Sequence, residues 1–203
     1  MGRPRSFDTA TVLQAIEEQF RATGYAGTSL DDVAAATGLG RGSIYAAFGD
    51  KHELFMRSLE EFCERNEARV AAVLDGPDAT AVSRLHAFLL GAAQVGDGGT
   101  ETKCMATKFA VELYDQDPKA RERVAQSFSV IRRRLRDCVL AAQRHGDVDP
   151  SADADVVAGL VYTVTRGLDV LASAGQTPEE LEPIAEAALR SLPLTRSIAD
   201  PRR

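Results

Sequence analysis

The chain has no tryptophan, only 6% aromatic residues and just three cysteines among its 203 residues. An odd number of thiols, at Cys63, Cys104 and Cys138, without metal-ligand spacing, makes no disulfide framework and fits a reducing, cytoplasmic setting. Long hydrophobic runs are also missing. The two longest stretches free of charge and histidine, 87–96 and 156–165, hold ten residues each, well short of the ~20 that a membrane span needs. The first residues include no apolar run of the secretory type. Basic charge is not in excess: 24 Lys and Arg stand against 30 Asp and Glu, a formal net charge of -6, which argues against a protein that coats nucleic acid through bulk positive charge. Internal repeats, low-complexity tracts and alternating β-branched runs are absent too. What is present is 44% hydrophobic and 27% charged residues, enough to bury one sizeable core or two small ones.

The pattern is helical throughout. Glycines at 24, 27, 38, 40, 42 and 49 leave room in the first fifty residues for one ordinary helix and two very short ones. Asp8 is placed to cap a first helix carrying Leu13, Ile16 and Phe20 on one face, which the spacing ends at Gly24 in a left-handed cap. Thr28 and Ser29, with a carboxylate three residues on, mark a second helix start running to Thr37. Gly38 makes a turn, and a third helix covers 41–47. Gly49 and Asp50 precede a long helix from Lys51 towards Leu74. Further helices are expected over 79–95, 103–114, 118–144, 152–174 and 178–192, giving nine helices and no strand: an all-α fold.

Two short helices joined by a glycine turn form a helix-turn-helix, whose second helix enters the DNA major groove. Val33, Ala34, Leu39 and Ile44 are spaced to fill the wedge between the two. The residues Thr28-Ser29-Leu30, Val33-Ala34, Gly38-Leu39, Arg41-Gly42-Ser43-Ile44-Tyr45, Phe48, Lys51 and Leu54 at these intervals resemble the DNA-binding domain of the TetR family of bacterial transcriptional regulators over residues 6–56. The resemblance implies an N-terminal DNA-binding domain, residues 1–50, and a larger helical ligand-binding and dimerisation domain, residues 51–203. It places Arg41, Gly42, Ser43, Tyr45, Ala46 and Ala47 on the recognition helix, with Thr28 and Lys51 at flanking helix starts beside phosphates. Ala46 and Ala47 stand where many relatives carry larger polar side chains and would offer apolar contact to thymine methyls. Gly2-Arg3-Pro4-Arg5 reads as a basic arm for the minor groove, through Arg3 and Arg5. Phe48 is expected in the core on Phe20.

Other signals point to structure. Gly38-x-Gly40-x-Gly42 follows a helix instead of a strand, so it is not a phosphate loop. Asp147, Asp149, Ser151, Asp153 and Asp155 alternate like a calcium loop but lack its glycine and closing carboxylate, and read as a helix-capping loop. The myristoylation-like start lacks a second membrane signal. The three histidines are scattered, without metal or triad spacing. Arg132, Arg133, Arg134 and Arg136 read as a solvated helix face. Cys104, beside Lys103 and Lys108 at a helix start, supports an alternative in which a thiol senses oxidants or electrophiles; Cys63 and Cys138 read as core.

The last two helices present Val157, Leu160, Val161, Val164, Leu168 and Leu171 on one and Ile184, Ala188 and Leu192 on the other, a stripe suited to a four-helix homodimer interface. The helices between carry Phe88, Leu89, Cys104, Met105, Phe109, Leu113 and Phe128, with Tyr162 opposite. The resemblance implies that such helices enclose an inducer pocket, here with a mostly apolar lining suited to a hydrophobic small molecule. The expected function is a homodimeric repressor, released from a palindromic operator in double-stranded DNA by a small-molecule inducer. No cofactor, metal or membrane partner is expected. An α-helical enzyme is the distant alternative, since no paired acid and base, nucleophile or metal cluster emerges.

Overall fold

The computed structural model describes residues 8–94, 105–112 and 115–195. Among them the chain forms nine α-helices: α1 Thr9–Gly27, α2 Leu30–Thr37, α3 Arg41–Phe48, α4 Lys51–Leu74, α5 Ala81–Ala93, α6 Met105–Glu112, α7 Pro118–His145, α8 Ala154–Ser173 and α9 Pro178–Arg190. They gather into two compact units, one drawn from Met1–Arg65 with Cys104–Ala125 and the other from Asn66–Lys103 with Gln126–Arg203. The boundary expected at residue 50 coincides with the start of α4, whereas the first unit continues through Arg65 and takes in α6.

The first unit begins as its sequence dictates. Asp8 accepts hydrogen bonds from the Ala10 and Thr11 amides, and Leu13, Ile16 and Phe20 are buried at helical spacing. The end of α1 differs from expectation. Gly24 does take a positive φ, but with an extended ψ (82° and 172°), so the helix kinks and resumes for a turn to Gly27 instead of stopping in a left-handed cap. Thr28 is its C-cap, buried at 1% exposure with its hydroxyl donating to the Gly24 carbonyl at 2.6 Å. Ser29 is the residue that caps α2, through a reciprocal box with Asp32. Hydrogen bonds from the Ser29 hydroxyl and amide hold the Asp32 carboxyl below its usual range. Gly38 provides the left-handed turn, at φ 69° and ψ 9°.

The kink at Gly24 opens the backbone ladder of α1, and α6 closes it. The Lys108 ammonium donates to the Arg21 carbonyl at 2.9 Å and to the Ala22 carbonyl at 3.4 Å, and the Glu112 carboxylate accepts the Ala26 amide at 2.9 Å. These are groups that a continuous helix would pair within itself. Phe109 is buried at 2% and sits edge-on to Phe55, with ring centroids 4.7 Å apart. Phe55 also meets Phe20 at 5.2 Å and Tyr25 at 5.0 Å, so one ring from α4 joins α1 and α6. Glu17, 2% exposed, is neutralised by Arg21 and by Arg65 of α4.

In the second unit α5 packs on α8 and α9, and α8 on α9. Leu85 and Leu89, Ile131, Leu135 and Val139, Val161 and Leu168, and Leu181 and Leu189 belong to one core. Asp153 caps α8, and Thr177 with Glu180 forms a capping box for α9, with Pro178 in its first turn. Arg134 pairs with Asp75 and Arg136 with Asp155, matching two of the four arginines of the run with carboxylates, and Arg144 beyond it pairs with Asp78. Cys138 donates to the Ala81 carbonyl at 3.4 Å, and burial pushes its thiol pKa up. By length and composition α8 could cross a membrane, with mean hydropathy 1.3. It nevertheless carries an Arg166–Asp169 ion pair at 2.9 Å and lies against α5 and α9, as a core helix does. Burial raises the Asp169 pKa above the usual carboxylate value, although Arg166 and Arg69 pull it down.

Two outcomes follow. Phe55→Ala removes the ring shared by three aromatic neighbours and should destabilise the first unit by about 3 to 5 kcal/mol, read from urea unfolding. Asp169 holds its proton more tightly folded than unfolded. Its contribution is therefore complete below the ordinary carboxylate pKa and is lost as pH rises through the raised value. The urea midpoint of Asp169→Asn should accordingly rise relative to that of wild type as pH increases above about 4.

Candidate nucleic-acid interface and ligand cavity

Within the first unit α3 alternates between core and solvent. Ile44 is fully buried and Phe48 is 2% exposed, while Tyr45 is 54% exposed and Arg41, Gly42, Ser43 and Ala46 also face solvent. Ala47 is half-buried. The helix period therefore gathers a guanidinium, a hydroxyl and a phenol on one open face. Gly40 supplies no side-chain cap, leaving the start of α3 uncovered by any capping side chain. Arg41 is held by Asp31 of α2 in a two-pronged pair, Nε to Oδ1 and Nη2 to Oδ2 both at 2.5 Å, with both side chains mostly exposed.

The flanks are more constrained. Lys51 opens α4 and is half-buried, with its ammonium 4.4 Å from the Tyr25 ring centroid, a cation–π contact. Arg57 donates to the Ala47 carbonyl at 3.2 Å and so holds the last turn of α3. The Thr28 side chain, expected beside phosphate, is instead buried and committed to Gly24. Arg3 and Arg5 lie outside the described residues. Tyr25 and Arg57 give no signal in the sequence; Asp31 reads there only as a helix-start carboxylate, and its pairing with Arg41 ten residues on appears first in the structure.

The second unit has a half-open cavity of about 100 Å³. Asn66, Arg69, Val70 and Val73 line it from α4, Phe88, Gly91 and Ala92 from α5, and Thr165, Arg166 and Asp169 from α8. Of the residues expected around an inducer, Phe88 lines this cavity. Leu89 is fully buried in the core, and Phe128 and Tyr162 stack edge-on at 5.7 Å. Phe109 belongs to the other unit, on Phe55, so it is corrected from pocket lining to core of the first unit. Cys104, Leu113 and the Met105 side chain lie outside the described residues. The lining also departs from the mostly apolar surface expected, because two arginines and an aspartate reach it. An Arg and an Asp three residues apart in an otherwise apolar helix were the signal available in the sequence.

The apolar stripe of the last two helices divides by face. Val157, Val161, Leu168 and Leu192 are buried within the unit, and Val164 and Ala188 are partly buried. Leu160 at 43%, Leu171 at 37% and Ile184 at 43% are exposed, together with Val156 at 67% and Val170 at 53%, which the sequence reading left out.

Comparison with known proteins gives this geometry a family. The model described as bacterial regulatory proteins, tetR family, matches residues 12–57, and that of the tetracyclin repressor-like C-terminal domain matches residues 81–188. The chain is 30% identical to the uncharacterized HTH-type transcriptional regulator YezE of Bacillus subtilis, covering 78% of this chain and 81% of the relative. It is 26% identical to the HTH-type transcriptional repressor ComR of Escherichia coli, covering 95% and 92%. A TetR transcriptional regulator from Chloroflexus aurantiacus superposes with a TM-score of 0.79 at 29% identity, covering 89% and 91%. A cysteine mutant of the TetR family regulator CifR, complexed with 26 bp double-strand operator DNA, superposes at 0.77 with 27% identity, covering 95% and 100%. With α2 and α3 set as a helix-turn-helix and both halves of the sequence matched, the chain belongs to the TetR family of bacterial transcriptional regulators.

Proposed function

We propose that this regulator is a homodimeric repressor that binds a palindromic operator and leaves it when a small molecule enters the second unit. The observation that carries the reading is the open face of α3, where Arg41, Ser43 and Tyr45 stand clear of the core that Ile44 and Phe48 anchor. Arg41 and Tyr45 reach base edges, Ser43 and the uncapped start of α3 meet phosphate, and Lys51 holds the backbone beside them. The operator-bound state of CifR and the description of ComR as a repressor support the same role here. In this reading residues 1–50 carry the DNA contacts, together with the arm of Arg3 and Arg5, and 51–203 carry ligand binding and dimerisation.

One recognition helix covers too few base pairs for a specific site. Two must enter successive major grooves about 34–36 Å apart. The exposed Val156, Leu160, Val170, Leu171 and Ile184 supply the apolar surface for pairing two subunits. Release then follows from linkage: a ligand that prefers a geometry unable to hold both helices at that spacing weakens DNA binding by its differential affinity. The α6 helix is suited to transmit it, since it falls within the 81–188 segment and yet completes the backbone at Gly24 of α1.

Selection of bound sequences from random duplex DNA should yield a palindrome. Arg41→Ala should weaken binding to it by about tenfold or more and relax the preference at the base it reads; a folded wild type with no sequence preference at moderate salt would sink the reading. Leu160→Glu, placing charge in the exposed stripe, should give monomers by sedimentation and abolish operator binding while leaving the helical content intact.

A further inference from the structure

The cavity of the second unit has a charge pattern that specifies more than a hydrophobic guest. Arg166 reaches Asp169 at 2.9 Å along α8, and its guanidinium carbon lies 5.0 Å from the Tyr162 ring centroid. Arg69 enters from α4, exposed to solvent, giving one of its N–H donors to the Asn66 side chain at 3.0 Å. Its charge acts on the same Asp169 carboxylate. Two arginines from two helices thus share the lining with one aspartate, two positive side chains to one negative. Beside them Val70, Val73 and Phe88 form an apolar wall. The volume, about 100 Å³, is of the order of cavities that take one benzene-sized group. Gly91 completes the wall with open space: an added Cβ there meets nothing within 4 Å.

We propose that this cavity binds a small carboxylate-bearing molecule, its carboxylate held between Arg69 and Arg166 and its aromatic or short aliphatic body against Val70, Val73 and Phe88. The guest's charge cancels the excess left by the one aspartate. Planar guanidinium forks match a carboxylate in two-pronged fashion, which a neutral hydroxyl cannot reproduce. A cationic guest would have to displace Arg166 from Asp169 and stand beside two like charges. This assignment rests on the inducer reading and gives it a ligand class.

Calorimetric titration of the full-length protein with sodium benzoate, benzyl alcohol and benzylamine tests it, because the three share a ring and differ in charge. Benzoate should bind about tenfold or more tightly than the alcohol, and benzylamine no better than the alcohol. Arg69→Gln, at an exposed position, should bring benzoate down to the level of the alcohol. Gly91→Leu, which fills the cavity from a helix that tolerates leucine, should remove binding of all three. Equal binding of benzoate and alcohol, tightest binding of benzylamine, benzoate binding that survives Arg69→Gln or Gly91→Leu, or no binding by any probe would each overturn the proposal. A separate operator-release assay distinguishes the two readings: benzoate that binds with these signatures but leaves the operator complex intact upholds the carboxylate site and sinks the inducer role.

Discussion

A broken helix needs its loose ends satisfied, and the first unit is organised around one such break. At Gly24 the backbone leaves helical geometry, so carbonyls at Arg21 and Ala22 and the amide of Ala26 lose the partners they would have had. Lys108 and Glu112 of α6 supply them. A side chain at residue 24 would be strained by the positive φ, and its Cβ would stand 2.9 Å from the Glu112 carboxylate. Glycine is therefore required for its conformational freedom, and a side chain there would also push the Glu112 carboxylate aside. Phe109, carried in by the same helix, then completes the aromatic cluster on Phe55 that supports α1 and α4.

The electrostatics around the open face of α3 are those of an acidic protein that carries few cations. The formal charge of -6 is not relieved near α3: residues 1–50 hold four basic and six acidic side chains. Several of the acids have local structural uses. Asp8 and Asp32 serve at helix starts, and Asp31 orients Arg41. Because that last pair is solvent-exposed, it adds little to stability. On the function proposed above, any phosphate or base edge that takes Arg41 must compete with Asp31.

Much of the fold was legible because its signals are local. Ser29 and Asp32, Gly38, Asp153, and Thr177 with Glu180 are turn and cap chemistry contained within a few residues, and the buried Val33 and Ile44 follow from helical period alone. What escaped depended on distant partners. Nothing near Gly24 says that its kink will be completed 80 residues later, and Thr28 looks like a cap until Ser29 takes the role. Phe109 gave no sign of which unit would bury it. The stripe on α8 shows a limit of periodicity: Val157 and Val161 point inward while Val156 and Leu160, one residue away in each case, point out. A broad apolar arc cannot by itself separate core from exposed surface. Apolar and aromatic patterning does not reveal the polar lining of the cavity, whose character comes from Arg69, Arg166 and Asp169.

The joining of α6 to α1 also bears on the order in which the molecule can be made. A chain that has emerged from the ribosome only as far as residue 65 already holds the helix-turn-helix, yet the ring of Phe55 lacks Phe109 and the opened backbone at Gly24 lacks both Lys108 and Glu112. The nascent N-terminal unit must wait with an apolar face and unmet hydrogen-bonding groups until roughly fifty further residues have been added, an interval of several seconds at ordinary rates of synthesis. A glycine break in the first helix thus ties the maturation of the DNA-binding end to the arrival of a segment from the other half of the sequence.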